Sequence, residues 1–152
     1  MKSFQDIVNK KISVIGLGES GLESARLANF LGGIVFGSDS SESPDVTNNA
    51  MKLMTEQHIA TETGIHTDKI FESDFWIISP GISKKSDIVI KAKKNNIPIY
   101  SEIEFASWFT ENPIIAVTGS NGKTTTCHLL LEIFKRKYKN SVVAGNIGIP
   151  FT

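Results

Sequence analysis

The chain has 152 residues, and its 16 Lys plus Arg balance 16 Asp plus Glu, so its formal net charge is zero. This balance excludes a strongly basic nucleic-acid-binding protein and an acidic, disordered tail. The single cysteine, Cys127, excludes an internal disulfide framework and a cysteine-based zinc cage. The first residues lack a signal-peptide pattern, and no segment approaches the ~18 apolar residues of a membrane span. We therefore expect an intracellular, cytoplasmic globular protein.

Short apolar runs alternate with segments of helical spacing up to residue 109. The runs predict strands at 12–15, 34–36, 75–78 and 97–100. Helices are predicted at 21–31, 49–57, 86–95 and 102–109, with Ser86 as a candidate N-cap. The polar segment 37–49 is interpreted as a loop. This alternation predicts an α/β fold with a mainly parallel sheet.

A second unit is predicted to follow a linker at residues 110–113. Strands are predicted at 114–117 and 141–144, on either side of a helix that begins at Lys123. The apolar face of this helix is formed by Cys127, Leu130, Leu131, Phe134 and Tyr138. Because a parallel sheet needs helices on both faces, we expect this unit to be incomplete and the chain to be a fragment.

The first predicted strand is followed by Gly16-Leu17-Gly18-Glu19-Ser20-Gly21, a G-x-G-x-x-G sequence that opens a helix. Such a loop allows a tight turn and close approach of a phosphate to free N–H groups at the helix start. Asp39 lies near the position where an acidic residue would meet a ribose hydroxyl. The carboxylate of Glu19 would repel a pyrophosphate, which favours a ligand other than a standard dinucleotide, or a Glu19 side chain that faces solvent.

A second glycine-rich loop, residues 118–126, reads T-G-S-N-G-K-T-T-T and also lies between a predicted strand and a helix. Its N–H groups can surround a triphosphate, with Lys123 near the β- and γ-phosphates and the Thr124 hydroxyl on Mg²⁺. The loop departs from the strict G-x-x-x-x-G-K-[ST] pattern because Val117 replaces the first glycine.

These motifs resemble those of the Mur ligases of peptidoglycan synthesis, whose ATP loop is T-G-[ST]-N-G-K-[ST]-T. Residues 118–125 match that pattern throughout. Similarity to the D-glutamate-adding branch of the family rests on four features: GLGESG at 16–21, SPGI at 79–82, SEIEFA at 101–106 and the GNIG that contains Asn146.

The resemblance implies a Rossmann-like, UDP-sugar-binding domain at residues 1–110 and the beginning of a P-loop ATPase domain at 111–152. It implies a cytoplasmic, monomeric ligase of cell-wall synthesis that uses ATP and Mg²⁺. The implied reaction joins D-glutamate to UDP-N-acetylmuramoyl-L-alanine through an acyl phosphate, with no nucleic-acid or membrane partner. We expect the fragment to be inactive by itself.

The resemblance also implies the residues of two binding sites. Lys123 would be catalytic and Thr124 would bind the metal. The ATP site would comprise Gly119, Ser120, Asn121, Gly122, Lys123, Thr124 and Thr125. The UDP-sugar site would comprise Gly18, Glu19, Ser20, Asp39, Ser40, Ser79, Gly81 and Asn146. Glu19 is a departure, because this position is often apolar or basic in the family.

Two alternatives remain open from the residues. An NAD-dependent oxidoreductase would account for residues 16–21 and Asp39, but it leaves the 118–125 loop unexplained. A non-catalytic nucleotide-binding module would account for both loops. The three histidines, His58, His66 and His128, lack metal-ligand spacing and are interpreted as ordinary polar residues.

Overall fold

A computed structural model describes residues 6–145 and 149–152. The chain folds into two compact units. One unit comprises Met1–Phe109 with Thr152, and the other comprises Thr110–Phe151.

The first unit is built on a five-stranded, all-parallel sheet of order β3-β2-β1-β4-β5. Its strands are β1 (Lys11–Ile15), β2 (Ile34–Asp39), β3 (Ala60–Thr63), β4 (Phe75–Ile78) and β5 (Ile99–Ser101). The chain runs from β1 to β2 and β3 in one direction and then returns to β4 on the other side of β1. The carboxyl ends of β1 and β4 therefore form a topological switch point, where parallel α/β sheets open a crevice for ligands. The predicted α/β fold is confirmed.

Helices connect these strands. They are α1 (Glu19–Phe30), α2 (Pro44–Gln57), α3 (Asp87–Lys94) and α4 (Glu102–Ser107), with a short 3-10 helix at Asp68–Glu72 before β4. Within the described residues, none of the helices has the length and apolar character needed to cross a membrane.

Alternate strand residues face two separate hydrophobic clusters, one on each side of the sheet. Val14 and Ile77 join the cluster that contains buried residues of α1 and α2, together with Phe105 of α4. Ile15 and Trp76 join the cluster that contains Val89 of α3. Strands buried on both faces carry apolar residues on both, and this is why β1 and β4 could be predicted from continuous apolar runs.

The interpretation of residues 37–49 as a loop is confirmed only for residues 40–43 and is wrong at both ends. β2 continues to Asp39, although Gly, Ser and Asp are poor strand formers. Pairing on both sides overrides this preference, because Gly37 and Ser38 lie in register with β1 and with β3. The following helix begins at Pro44 rather than residue 49, since Pro44 occupies its first turn after the N-cap Ser43.

Two elements were not predicted, β3 and the 3-10 helix. The β3 sequence ATET has no buried residue and lies at the sheet edge, so it lacks an apolar run. The other helices and strands of this unit lie near their predicted bounds. Ser86 is the N-cap of α3, although its side chain makes no capping hydrogen bond.

The second unit contains one helix among its described residues, α5 (Lys123–Lys135). The strands predicted at 114–117 and 141–144 are absent there, so those two predictions are wrong. An apolar run becomes a strand only when a neighbouring backbone pairs with it; here Ile115 is 57% and Val142 80% exposed. The predicted apolar face of α5 is its less exposed side, apart from Tyr138, which is exposed.

Candidate functional site

The first glycine-rich loop joins β1 to α1 at the switch point. Gly16 has a φ of +89°, and its N–H donates to the carbonyl of Ser38 at 2.8 Å, which continues the β1–β2 ladder. Gly21 packs so closely against the loop that a Cβ there would lie 1.8 Å from the carbonyl oxygen of Gly16. Gly18 is the N-cap of α1, and a Cβ there would meet nothing within 4 Å. Two of the three glycines thus shape the turn, whereas Gly18 leaves open space beside the helix start.

Asp39, at the end of β2, fixes the conformation of this loop. Its Oδ2 accepts a hydrogen bond from the Leu17 N–H at 2.7 Å, and its Oδ1 accepts one from the Ser41 N–H at 2.8 Å. The side chain of Asn49 also contributes, since its Nδ2 donates to the Leu17 carbonyl at 3.0 Å. In the free protein, Asp39 therefore holds the loop in place through hydrogen bonds to its backbone. Asn49 has the same role, which the sequence did not indicate.

Ser79, which follows β4, ties the second loop of the crevice to the first. Its Oγ donates to the carbonyl of Gly16 at 3.0 Å, and its N–H donates to the carbonyl of Ile15 at 2.9 Å. The loop then turns, with the Ile82 N–H donating to the Ser79 carbonyl at 3.1 Å. The sequence-predicted loops at 16–21 and 79–82 therefore meet at one edge of the sheet.

The other predicted residues of this site differ in accessibility. Gly18, Glu19, Ser40 and Gly81 are exposed, and Ser20 is half-buried. The exposed Glu19 is the first residue of α1, where a carboxylate interacts favourably with the positive end of the helix dipole. Asn146 lies outside the described residues.

A polar cluster at the ends of β2 and β3 was missed in the sequence. The Ser38 Oγ lies 2.7 Å from both Glu62 Oε1 and His66 Nδ1. Burial opposes ionisation of Glu62, but hydrogen bonds from Thr67 and Ser38 outweigh it and lower the pKa of the carboxyl. Burial lowers the pKa of His66, and the nearby carboxylates of Asp39 and Glu62 only partly offset this effect. Glu62 lies on β3, so without that strand the sequence offered no signal for the cluster.

A cleft of about 270 Å³ lies between this cluster and α3. Its lining includes Ser40, His66, Gly81, Ile82, Ser86 and Asp87. Ile82 connects the cleft to the first loop, because its Cδ1 would lie 3.5 Å from a Cβ placed on Gly16. Ile82 therefore borders both the cleft and the first glycine-rich loop.

The second glycine-rich loop precedes α5 in the other unit. Gly119 and Gly122 have φ values of +145° and +75°, which favour glycine, and Gly122 is the N-cap of α5. The Lys123 ammonium donates to the carbonyl of Gly119 and, at 3.4 Å, to that of Ser120. The loop thus holds a cation at the start of a helix, the arrangement that attracts phosphate.

The hydroxyls that follow Lys123 differ in their contacts. Thr126 Oγ1 donates back to the Gly122 carbonyl at 2.9 Å, whereas Thr124 and Thr125 are exposed and have no hydrogen bond from their hydroxyls within the described part of the chain. Ser120 and Asn121 are also exposed. Over residues 6–145 and 149–152, no group of three His, Cys, Asp or Glu side chains could hold a metal. A hydroxyl such as that of Thr124 suits Mg²⁺, which takes few protein ligands and keeps several waters.

Two family models match the chain. Residues 10–101 match the Mur ligase MurD-like N-terminal domain, and residues 117–151 match the Mur ligase middle domain. The two glycine-rich loops fall within these two matches, respectively.

Individual relatives agree with the family models. The chain is 44% identical over 142 residues to the UDP-N-acetylmuramoylalanine--D-glutamate ligase of Christiangramia forsetii, covering 93% of this chain and 31% of that protein. It is 38% identical over 152 residues to the enzyme of the same name from Streptococcus sanguinis, covering 99% of this chain and 33% of that protein. The chain thus spans about a third of the length of these curated relatives.

Solved structures share the fold. UDP-N-acetylmuramate:L-alanyl-gamma-D-glutamyl-meso-diaminopimelate ligase from Neisseria meningitidis superposes with a TM-score of 0.57 at 22% identity, covering 84% of this chain and 40% of that one. UDP-N-acetylmuramate-alanine ligase from Thermotoga maritima gives a TM-score of 0.52 at 23% identity, covering 84% of this chain and 29% of that one. The match of a family model to residues 10–101 agrees with the resemblance seen in the sequence, and so does the identity of 44% and 38% to the two curated relatives. The chain therefore belongs to the Mur ligase family.

Proposed function

We propose that this chain is part of an ATP-dependent ligase that adds D-glutamate to UDP-N-acetylmuramoyl-L-alanine. The observation that carries the proposal is the 44% identity to a relative of that name over 93% of the chain. The geometry of both loops supports it, because each presents the N-terminus of a helix, where N–H groups and the helix dipole favour phosphate. An oxidoreductase would leave the match at residues 117–151 without a role.

In this proposal, residues 1–110 form the UDP-sugar-binding domain and residues 111–152 begin the ATP-binding domain. The pyrophosphate lies at Gly18, Glu19 and Ser20, where a Cβ added to Gly18 would meet nothing within 4 Å, so there is room beside α1. Ser79 and Gly81 approach from the loop after β4, and Asp39 and Ser40 from the end of β2. Asn146 is assigned to the same ligand by resemblance alone.

The ATP site comprises Gly119, Ser120, Asn121, Gly122, Lys123, Thr124 and Thr125. Lys123 exchanges its carbonyl partners in the loop for phosphate oxygens and neutralises charge on the transferred group. Thr124 would supply a hydroxyl ligand to Mg²⁺, which would add positive charge at the phosphates of ATP. The γ-phosphoryl group of ATP passes to the substrate carboxylate, which releases ADP and gives an acyl phosphate. The amine of D-glutamate then attacks the acyl carbon and displaces inorganic phosphate. We place this enzyme in the cytoplasm as a monomer, without nucleic-acid or membrane partners.

Isothermal titration of the 152-residue chain with UDP, UDP-N-acetylmuramoyl-L-alanine and NAD tests the proposal. Both uridine ligands should bind and compete with each other, and NAD should not displace them. Gly18→Val should abolish uridine binding, because its side chain would occupy the space beside α1. This variant should still fold, since that space is open and Gly18 has an ordinary φ of −63°. Tight NAD binding without competition from UDP would instead indicate an oxidoreductase, and unchanged uridine affinity in Gly18→Val would place the ligand elsewhere.

A further inference from the structure

The tautomer of His66 follows from its hydrogen-bond partners. Glu62 has a pKa below its ordinary value, so near neutral pH it is a carboxylate that can only accept hydrogen bonds. It accepts from the Thr67 N–H at 2.9 Å and from Thr67 Oγ1 at 2.6 Å. The Ser38 hydroxyl, 2.7 Å from Glu62 Oε1, must therefore donate its single proton to Glu62. His66 Nδ1 then carries the proton that Ser38 Oγ accepts at 2.7 Å.

This assignment leaves the other ring nitrogen of His66 as an acceptor. Burial lowers the pKa of the imidazole, so the ring is neutral at neutral pH and a proton on Nδ1 leaves Nε2 with a free lone pair. Among the described residues, only Ser38 forms a hydrogen bond with the His66 side chain. The ring also lines the cleft of about 270 Å³ beside Ser40 and Gly81. The protein thus fixes a hydrogen-bond acceptor on a ring that lines the cleft.

The charges around the cleft oppose a phosphate as its occupant. Those near His66 are the carboxylates of Asp39 on β2 and Glu62 on β3, and Asp87 of α3 also lines the cleft. Ser86 also lines the cleft. Within the described residues, its Oγ is a buried polar side-chain atom without a hydrogen-bond partner. A neutral group that carries N–H or O–H donors fits this environment, whereas an anion does not.

We propose that His66 is a specificity-determining residue that binds the nucleoside end of the UDP-sugar. Its Nε2 accepts a hydrogen bond from a donor of the nucleoside, either the imide N–H of uracil or a ribose hydroxyl. The pyrophosphate lies at the start of α1, in the open space beside Gly18. This inference rests on the proposed function, and neither the family motifs nor the sequence analysis pointed to His66.

Variants at position 66 test the hydrogen bond in the 152-residue chain. Isothermal titration with UDP-N-acetylmuramoyl-L-alanine should show roughly ten-fold weaker binding for His66→Ala and for His66→Phe, since both lack the acceptor and Phe keeps a ring. His58→Asn is the matched control, because His58 is exposed at the end of α2 with φ +54°, a conformation that Asn tolerates. A thermal melt of each variant establishes that it is folded. Wild-type affinity in folded His66→Ala would overturn the inference, whereas failure of the wild type to bind any uridine ligand would refute the proposed function itself.

Ligand analogues identify the donor. Cytosine lacks the imide N–H of uracil. If the base is the donor, CDP should bind the wild type about ten-fold more weakly than UDP, and His66→Phe should bind the two equally. The same pattern with 2′-deoxy-UDP assigns it to the ribose. Either pattern supports the inference, and discrimination unchanged by His66→Phe for both analogues overturns it.

The direction of the pH dependence separates a nucleoside donor from a phosphate. UDP-N-acetylmuramoyl-L-alanine is a pyrophosphate diester that does not titrate near neutral pH. Protonation of Nε2 removes its lone pair. Because burial lowers the pKa of His66, the affinity of the wild type should hold as the pH passes the ordinary His value and should fall once the pH drops below the lowered pKa; this fall should be absent in His66→Phe. Affinity that rises on acidification, with the rise lost in His66→Phe, would mean that the ring binds phosphate. Nitrogen-15 NMR of the histidine rings gives a ligand-independent test, because a proton found on Nε2 instead of Nδ1 in the free protein would refute the assignment.

Discussion

The substitution Gly21→Ala tests whether stability depends on the close packing of α1 against the first glycine-rich loop. In Gly21→Ala, the new Cβ would lie 1.8 Å from the carbonyl oxygen of Gly16 and 2.8 Å from its carbonyl carbon. Real Cβ atoms essentially never approach closer than 3.0 Å, so the helix and the loop must separate by more than 1 Å. The atoms in the way are backbone, which cannot move by a change of rotamer. Gly16 is itself held by the hydrogen bonds from its N–H to Ser38 and from Ser79 to its carbonyl.

The cost of this substitution lies at the upper end of overpacking effects, about 3 kcal/mol or more. For a domain of about 100 residues, each kcal/mol lowers the melting temperature by about 4–8 °C, so Gly21→Ala should lose about 12–24 °C. Gly18→Ala is the matched control, because a Cβ there meets nothing within 4 Å, and it should melt within a few degrees of wild type. Circular dichroism melts of the three proteins measure the difference. Equal melting temperatures for Gly21→Ala and wild type would show that α1 does not depend on this contact.

Three further predictions concern the anchors of the two sites. Asp39→Asn should lower the free energy of unfolding by about 1–3 kcal/mol, because either the Leu17 N–H or the Ser41 N–H would face the amide donor of Asn. Denaturant titration measures the change, with Asp45→Asn at an exposed position as the control. The free energy of unfolding should decrease as the pH falls below 6.5 and decrease again below 4.5, the ordinary pKa values of His66 and Glu62. In the unfolded chain these groups bind protons at those values, whereas in the folded chain their lowered pKa values resist protonation. Melts over the acid range should lose the first decrease in His66→Gln and the second in Glu62→Gln. The 152-residue chain with ATP, Mg²⁺, UDP-N-acetylmuramoyl-L-alanine and D-glutamate should release no more phosphate than Lys123→Ala. Thr124 is the one residue assigned to Mg²⁺ among those described, and waters that complete the coordination shell do not fix the metal between two substrates. Substrate-dependent release that the variant loses would contradict this.

The sequence predicts the core of the first unit because its central strands are buried on both faces. FWII at 75–78 matches β4 residue for residue, and the helical spacing of Leu22, Ala25 and Ala28 identifies the buried face of α1. In both cases local pattern and tertiary burial agree. The two glycine-rich loops were found for a related reason, since Gly16, Gly119 and Gly122 have positive φ values that favour glycine whatever the neighbouring side chains are.

The sequence fails where pairing partners decide the structure. The end of β2 consists of Gly37, Ser38 and Asp39, and its strand conformation depends on β1 and β3 on either side. β3 has no buried residue, and its loss from the prediction also concealed the contact of Glu62 with Ser38 and His66. The opposite error occurs at 114–117, where an apolar run was interpreted as a strand although no neighbouring backbone pairs with it in the described residues.

The two glycine-rich loops expose a helix N-terminus in different ways, and this difference bears on how each would bind phosphate. The first loop is anchored from outside itself, by Asp39, Asn49 and Ser79, which belong to three other parts of the unit. The conformation of this loop is therefore fixed before a ligand binds, so binding should lose little conformational entropy by ordering the loop.

Among the described residues, the hydrogen bonds that hold the second loop join residues of the loop to one another and to the first turn of α5. The bonds to its carbonyls come from Lys123 and Thr126, each within four residues of its acceptor. The cation that stabilises this loop is also the group proposed to bind phosphate, so Lys123 must give up the carbonyls of Gly119 and Ser120 when it does so. In the proposed function, part of the interaction of Lys123 with ATP is thus offset by the loss of these bonds, whereas the loop at 16–21 would keep its anchors on binding the UDP-sugar. We therefore expect the same sequence device, glycine before a helix, to give a preformed site in the first unit and a site that rearranges around its own lysine in the second.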